Sequence, residues 1–521
     1  MSRLHDWAQR TPDKVALLDL ETGHEINFQT LDERVQRASH WMIAQGMQAA
    51  SGVLLLMENR PEIIEIGLAA RRSGLYFTPV SIHLALPELA HIARDCGAQL
   101  LLVSAQTAPF VQALLKQEGL AGLKVFCVGT QVPQGMSGYE DGIARADALA
   151  PLPERPLGRD MLYSSGTTGF PKGVRRALVP AASRDQPEPE VLNWQRTFGF
   201  DAHTIYLSPA PLYHAAPLRY VMRTLEVGGS AILMKKFDAE RALTAIDEYG
   251  VTHSQWVPTM FVRMLELPEQ TRARFHLKSM KVAIHAAAPC PIHVKQALLD
   301  WWGDIVFEYY GGSEGFGVTS IGPADWRSHP GSVGRATLGT IHIVDDAGAE
   351  LPADEIGKIY FSGGPTFEYW NDPQKTRDAY NAQGWATYGD MGYVDAEGYL
   401  YLADRRTDLI LSGGVNIYPQ EIENAMVQHP LVQDVAVVGV PDADFGQVPK
   451  AVVQLHDHAL ASEPLAQELI AFCKDLLSRV KMPKSIVFEE NLPRLETGKL
   501  LRRVLKEQYQ HDPHAGYRVK P

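Results

Sequence analysis

The sequence predicts an α/β protein: a large N-terminal domain, residues 1–404, holding two doubly wound sheets and a small β-barrel-like subdomain, then a smaller α+β C-terminal domain, residues 405–521. Three observations predict it. Short apolar runs alternate with stretches of helical period in two separate regions, the pattern that parallel strands and their crossovers require. Beyond about residue 330 the alternation gives way to short strands separated by turn signals. After Asp404, strands and helices return in a last compact unit.

Taken in order, the first region begins at Gly52 with VLLLM, NRPEIIEIGLAARRSG, LYFTPVS, PELAHIARDCG and LLLVSA, a β-α-β-α-β series in which Pro61 and Pro87 stand where first helical turns begin. The second region repeats the scheme with AILMK at 231, ERALTAIDEYG, SQWVP at 254 and KVAIHAAAP at 281. GTIHIVDDAGAEL, GKIYFSGG and YVDAEGYLYLAD then read as antiparallel hairpins or a small barrel. The last unit runs through helix EIENAMVQHP, strands DVAVVGV and KAVVQLH, helix PLAQELIAFCKDLLSR, strand SIVFEE and a basic helical tail.

Composition narrows the function. A chain of 521 residues has room for roughly three or four domains, or one large body with a small appendage. The formal charge of −12 disfavours nucleic acid as the main partner, because affinity there comes from Lys and Arg neutralising phosphates. Cys96, Cys127, Cys290 and Cys473 form neither a disulfide framework nor a Cys-x-x-Cys metal site and read as reduced thiols. The opening MSRLHDWAQRTPDK is polar where a signal peptide needs an apolar stretch, and no apolar run approaches the roughly 20 residues of a membrane span. A cytoplasmic location and no membrane span are expected.

The chemistry concentrates in YSSGTTGFPKGV, residues 163–174. Ser164, Ser165, Thr167 and Thr168 supply hydroxyls, Gly166, Gly169 and Gly173 free the backbone, and Lys172 adds a cation. Glycine lets amides point into a shared concavity, and hydroxyls and lysine suit phosphate oxygens, so the loop reads as a polyphosphate cradle. The spacing is not that of the usual P-loop, since Pro171 precedes the lysine and Gly173 follows it. A plain surface turn is the bland alternative, and it seldom combines so many donors with a lysine.

This loop resembles the signature of the AMP-forming adenylating enzymes, the superfamily of acyl-CoA synthetases, luciferases and nonribosomal-peptide adenylation domains. Further motifs follow in that family's order: PLYHAAPL with Tyr213 and His214, AAAP at 286–289, EYYGGSEG with Tyr310, Gly311 and Glu314, YGDMGYVD with Asp390, DRRTDLILSGGVNIYPQEIE with Arg405, Asp408 and Gly414, and LPRLETGKLLRR with Lys499. They extend from about residue 55 to 505.

The resemblance implies that a carboxylate attacks the α-phosphorus of ATP to give an acyl-adenylate, and that a thiol then displaces AMP. Catalysis of such a transfer is chiefly positioning and charge stabilisation. Thr167, Thr168 and Lys172 would hold the β- and γ-phosphates, and Glu314, with Thr168, would ligate Mg²⁺. Asp390 would accept from the ribose hydroxyls, and Tyr310 would stack on adenine beside Ala287, Gly311 and Ser313. Lys499, on a mobile C-terminal domain, would bridge the substrate carboxylate and the α-phosphate. Its bland reading is a solvated lysine beside Arg502 and Arg503. Arg405 would reach the ribose or phosphate, its alternative being a salt bridge with Asp404 or Asp408. His214 takes a gating or orienting role beside Tyr213, against ordinary packing. Ser412, Gly413 and Gly414 would line the pantetheine path of CoA.

Departures are Tyr388 where threonine is usual, Ala286 after His285, and Thr407 at the hinge. The acyl pocket is expected to be apolar, built from Trp256, Met260, Phe261, Gly312 and Phe316, and to take a fatty or a bulky aryl, alicyclic or steroid-type acid. The partners expected are therefore a small carboxylic acid, ATP and CoA, and a homodimer is compatible with the sequence. A ligase that loads a carrier protein instead of CoA is the first alternative. A more distant one is an esterase, because GGSEG at 311–315 also fits G-x-S-x-G; that elbow needs a helix directly after the serine, and GFGVTSIGP is a poor helix opening.

Overall fold

The computed structural model describes residues 3–164, 171–405, 408–412, 415–442, 445–474, 476–495 and 500–519. The first predicted region forms a six-stranded parallel sheet in the order Ser137–Gly138, Lys124–Val128, Ala98–Ser104, Gly52–Leu56, Tyr76–Val80, Arg159–Asp160. Every residue of Gly52–Leu56 is buried, which is why VLLLM reads as a continuous apolar run and not an alternating one. The crossover helices start as their sequences require. Pro61 opens Pro61–Arg72, and Glu88 of Leu86–Asp95 accepts from the Ala85 amide at 3.1 Å.

The second region forms a nine-stranded sheet, ordered Arg335–Leu338, Val318–Ile321, Val306–Gly311, Val282–His285, His253–Trp256, Ile205–Ser208, Ser230–Leu233, Val15–Asp19, His24–Asn27. Its inner strands are parallel and its outermost pairings antiparallel. Val15–Asp19 and His24–Asn27 extend the second sheet although they precede the first in the chain, so the two sheets are interleaved in sequence. One core joins them: Val53, Phe77 and Leu100 of the first sheet share it with Leu17, Tyr206 and Ile284 of the second, through the helices Phe28–Ala44, Pro61–Arg72 and Ala215–Glu226.

The barrel-like subdomain takes the form of two small antiparallel sheets. One has four strands, Thr340–Val344, Gly357–Ser362, Asp390–Val394 and Leu400–Arg405; the other is ordered Glu368–Tyr369, Lys172–Arg175, Leu162–Ser164. Phe316, Phe361, Phe367 and Tyr369 form their common core. The C-terminal domain is a mixed sheet around the long hairpin Val432–Asp442 and Gly446–Leu455, covered by the helices Pro419–Met426, Glu463–Cys473 and Arg502–His511. All four cysteines are free thiols. Among the described residues no helix is long and apolar enough to cross a membrane.

Candidate active site

The hydroxyl-rich loop springs from a hairpin. Leu162–Ser164 and Lys172–Arg175 pair antiparallel with Lys172 opposite Ser164, so the lysine opens the second strand of the hairpin. Ser165, Gly166, Thr167, Thr168 and Gly169 lie outside the described residues. Lys172 sits 3.6 Å from Asp372 and beside Lys375. Burial first, and then the neighbouring Lys172, push the Lys375 ammonium down to about 8, with Glu314 and Asp372 pulling the other way. Two lysines and two carboxylates therefore face one another at one end of the site.

Glu314 is the inner carboxylate of this end. Its residue is 9% exposed, and Tyr369 donates to its Oε1 at 2.7 Å. Gly312 is an obligate glycine here: a Cβ would lie 2.3 Å from the Tyr388 ring and 2.6 Å from Glu314 Oε2. The donor chemistry fits a hard cation. One carboxylate oxygen of Glu314 is held by Tyr369, and among the described residues no group of three His, Cys, Asp or Glu could enclose a metal alone. The Glu314 carboxylate is an oxygen donor of the kind that suits Mg²⁺, which is commonly bound by one or two carboxylates together with substrate phosphates.

The other end is built from the strand Val306–Gly311. Tyr310 donates to Asp390 Oδ2 at 2.7 Å, which joins the aromatic face to a carboxylate suited to a diol. Ala287, two residues past the strand Val282–His285, has φ of 76°, a left-handed conformation rarely adopted by a residue with a Cβ. Strain of this kind costs on the order of 1–2 kcal/mol and persists only where the surroundings impose it. Behind the loop, His285 is fully buried next to the Lys295–Glu308 ion pair, whose N to O distance is 2.6 Å. Burial and Lys295 hold its imidazole neutral, well below the usual histidine range.

Tyr213 and His214 lie where the chain enters the helix Ala215–Glu226, with ring centroids 4.3 Å apart. Tyr388, the departure from threonine, lies flat on Phe316 at 4.0 Å and donates to the Gly317 carbonyl at 2.8 Å. Its ring therefore braces the 311–317 loop.

Four of the expected pocket residues belong instead to the hydrophobic core. Trp256, Met260 and Phe261 pack with Trp302 behind the second sheet, and Phe316 packs within the subdomain, each at most 3% exposed. Their apolar character is accounted for by packing, which removes the argument for an apolar acyl pocket. The esterase alternative also fails: Ser313 is followed by a turn and then the strand Val318–Ile321, where an elbow requires a helix.

In the C-terminal domain, Lys499, Gly413 and Gly414 lie outside the described residues. Ser412 is buried at the end of Ile410–Ser412. Asp408 pairs with Lys506 at 3.1 Å and with Arg502 at 3.6 Å, and the backbone of Arg405 pairs with Asp390. Sequence reasoning missed Tyr369, Lys375 and Arg219. Arg219 Nη1 donates to the Ser313 carbonyl at 3.1 Å and its other nitrogens hold Asp160 at 2.7 and 3.0 Å, fixing the loop from below. An arginine five residues beyond His214 on one helix was the available signal.

A large α/β body with a lysine-bearing hairpin, a buried carboxylate and a tyrosine–aspartate pair is the setting of a nucleotide-dependent enzyme. Residues 4–369 match the AMP-binding enzyme model and residues 421–499 the AMP-binding enzyme C-terminal domain, so the chain belongs to the AMP-binding enzyme family. It is 32% identical over 520 residues, 97% of each chain, to the long-chain-fatty-acid–CoA ligase FadD13 of Mycobacterium tuberculosis. It is 32% identical over 498 residues, 94% of each chain, to a feruloyl-CoA synthase of Amycolatopsis. Among solved structures, the anthranilate CoA ligase AuaEII in complex with anthranoyl-AMP superposes with a TM-score of 0.86 at 25% identity, over 98% of each chain.

Proposed function

We propose that this chain is an ATP-dependent acyl-CoA ligase, which joins a carboxylic acid to CoA through an acyl-adenylate and releases AMP and pyrophosphate. The reading rests above all on two sets of contacts, one among Lys172, Asp372, Lys375 and Glu314 and the other between Tyr310 and Asp390. The first set would meet a triphosphate and the second a nucleoside. Glu314 would hold Mg²⁺, which supplies charge neutralisation between phosphate oxygens when bound. Thr167 and Thr168 would donate to those oxygens, Asp390 would accept from the ribose, and Ala287 and Gly311 would face adenine. The 405–521 domain would close to bring Lys499 to the α-phosphate, and Arg405, Ser412, Gly413 and Gly414 would serve the nucleotide and pantetheine path. Similarity to CoA ligases over nearly the whole chain favours CoA over a carrier protein as acceptor.

The test is pyrophosphate release on a panel of carboxylic acids, with and without CoA, and with mass analysis of the product. Acid-dependent pyrophosphate and a CoA thioester are expected. Thioester formed only on an added carrier protein would replace CoA as acceptor, and no pyrophosphate with any acid would reject adenylation.

A further inference from the structure

Beneath the 311–314 loop lies a buried ionic network that the adenylation chemistry does not use. Arg71 pairs with Glu226 at 2.5 Å and Glu188 at 3.3 Å, Arg159 with Glu188 at 2.7 Å, Arg176 with Glu190 at 3.1 Å and Asp160 at 3.7 Å, and Arg219 with Asp160 at 2.7 Å. Every one of these side chains is at most 20% exposed. Arg223 completes the group, one helical turn beyond Arg219 on Ala215–Glu226. Its guanidinium has no ion pair or hydrogen bond among the described residues, and it sits deep in the protein while keeping some accessible surface. Five arginines thus meet four carboxylates (Asp160, Glu188, Glu190 and Glu226), an excess of one positive charge.

Where that charge points is set by the strand Val306–Gly311. Successive side chains of a strand face opposite sides, so Tyr309 points away from the Tyr310–Asp390 nucleotide face. It stacks on Tyr220 of the Arg219–Arg223 face, with centroids 6.2 Å apart and planes at 21°, and Gln255 donates to its hydroxyl at 3.3 Å. Burial pushes the Tyr309 phenol up to about 12, against the opposing pull of Arg223 and then Arg219, so the phenol remains a donor at neutral pH. Burial and the neighbouring Arg219 lower the pKa of Arg223, against an opposing pull from Tyr220, Glu190 and Glu188, none of which makes an ion pair with it. An unpaired cation in such surroundings is costly unless an anion joins it.

We propose that Arg223, with the Tyr309 hydroxyl, receives a second carboxylate at the far end of the acid, so that the substrate is a dicarboxylic acid activated at one end only. This rests on the ligase reading and deepens it by naming the substrate class. The other four arginines are spent on fixed partners. Among the described residues Arg223 is the one of the five with no ion pair, and a monocarboxylic acid of the same length would bring it no second carboxylate.

The experiment compares α,ω-dicarboxylic acids with monocarboxylic acids of equal length, from four to twelve carbons, by pyrophosphate release in the full-length enzyme and in Arg223→Met and Arg223→Lys. A charged hydrogen bond is worth roughly 1.5–3 kcal/mol, so the wild type should prefer the best dicarboxylate by about 10- to 100-fold in kcat/KM. Arg223→Met should erase that preference by raising KM for the dicarboxylate with little change in kcat, Arg223→Lys should restore part of it, and turnover of the monocarboxylate should persist. Preference for monocarboxylates in the wild type, or equal losses for both acids in Arg223→Met, overturns the proposal and leaves the ligase reading standing. If no acid releases pyrophosphate, the ligase reading fails, and calorimetric titration of the dicarboxylates decides the site separately. Binding lost in Arg223→Met, with its melting temperature unchanged, supports the site; no binding to the wild type overturns it.

Discussion

At the residue scale the site separates groups that bind from the group expected to act. Lys172, Glu314, Tyr310 and Asp390 are fixed by neighbours before any ligand arrives, while Lys499 is assigned from its place in LPRLETGK. Removing one charge-stabilising donor costs on the order of 10² to 10³ in rate, so Lys499→Ala should lose at least that much in adenylation. Thioester formation from a supplied acyl-adenylate should be much less affected; equal losses in the two half-reactions would contradict the role. Ala287 offers a complementary measurement. Its left-handed backbone should relax in Ala287→Gly, raising unfolding stability by about 1 kcal/mol, the cost of that conformation for a residue with a Cβ. The same freedom should weaken ATP binding, because the loop no longer holds its shape unaided. A variant no more stable than wild type would show that the strain is not stored there.

At the scale of elements, the loop 311–317 depends on contacts from three other segments: Arg219 from the Ala215–Glu226 helix, Tyr369 from the Glu368–Tyr369 strand, and Tyr388 ahead of Asp390–Val394. A methyl group at Gly312 has no space beside Tyr388 and Glu314, so Gly312→Ala should displace the carboxylate and depress adenylation by about 10-fold or more, in line with the sensitivity of catalysis to small misplacements. Wild-type Mg²⁺ dependence in that variant would argue against Glu314 as the ligand. The parallel sheets and the C-terminal elements were legible because each carries a local signal: a continuous apolar run, a proline at a first turn, a change of period. The pocket was not. Trp256, Phe261 and Phe316 are apolar for the sake of the core, and sequence cannot say which side of a sheet such residues face across a distant packing layer. The arginine network escaped notice for the same reason, since its members come from segments as far apart as Arg71 and Glu226. Likewise Val15–Asp19 joins the second sheet through a pairing with Ser230–Leu233 that nothing local announces.

At the scale of the whole molecule, ligand binding and folding are one linked equilibrium, and Lys375 supplies a handle on it. Its pKa of about 8 lies below the ordinary lysine value of 10.5, so between those limits the folded chain without ligand holds fewer protons than the unfolded chain. The unliganded protein should therefore gain stability from this group as pH rises through that window, the charged form being the disfavoured one. A bound triphosphate reverses the preference by stabilising the ammonium. ATP with Mg²⁺ at 100 times its Kd should add about 2.7 kcal/mol of stability. That increment is expected to be full at pH 7 and to shrink as pH passes 8, at constant total nucleotide, because binding then requires uptake of a proton. Melting temperatures with and without nucleotide, measured from pH 7 to 9.5 in the wild type and in Lys375→Met, check this directly. The variant should show a smaller increment at pH 7 and lose the decline above 8. An undiminished decline in Lys375→Met would place the titrating group elsewhere and detach Lys375 from the phosphate end of the site.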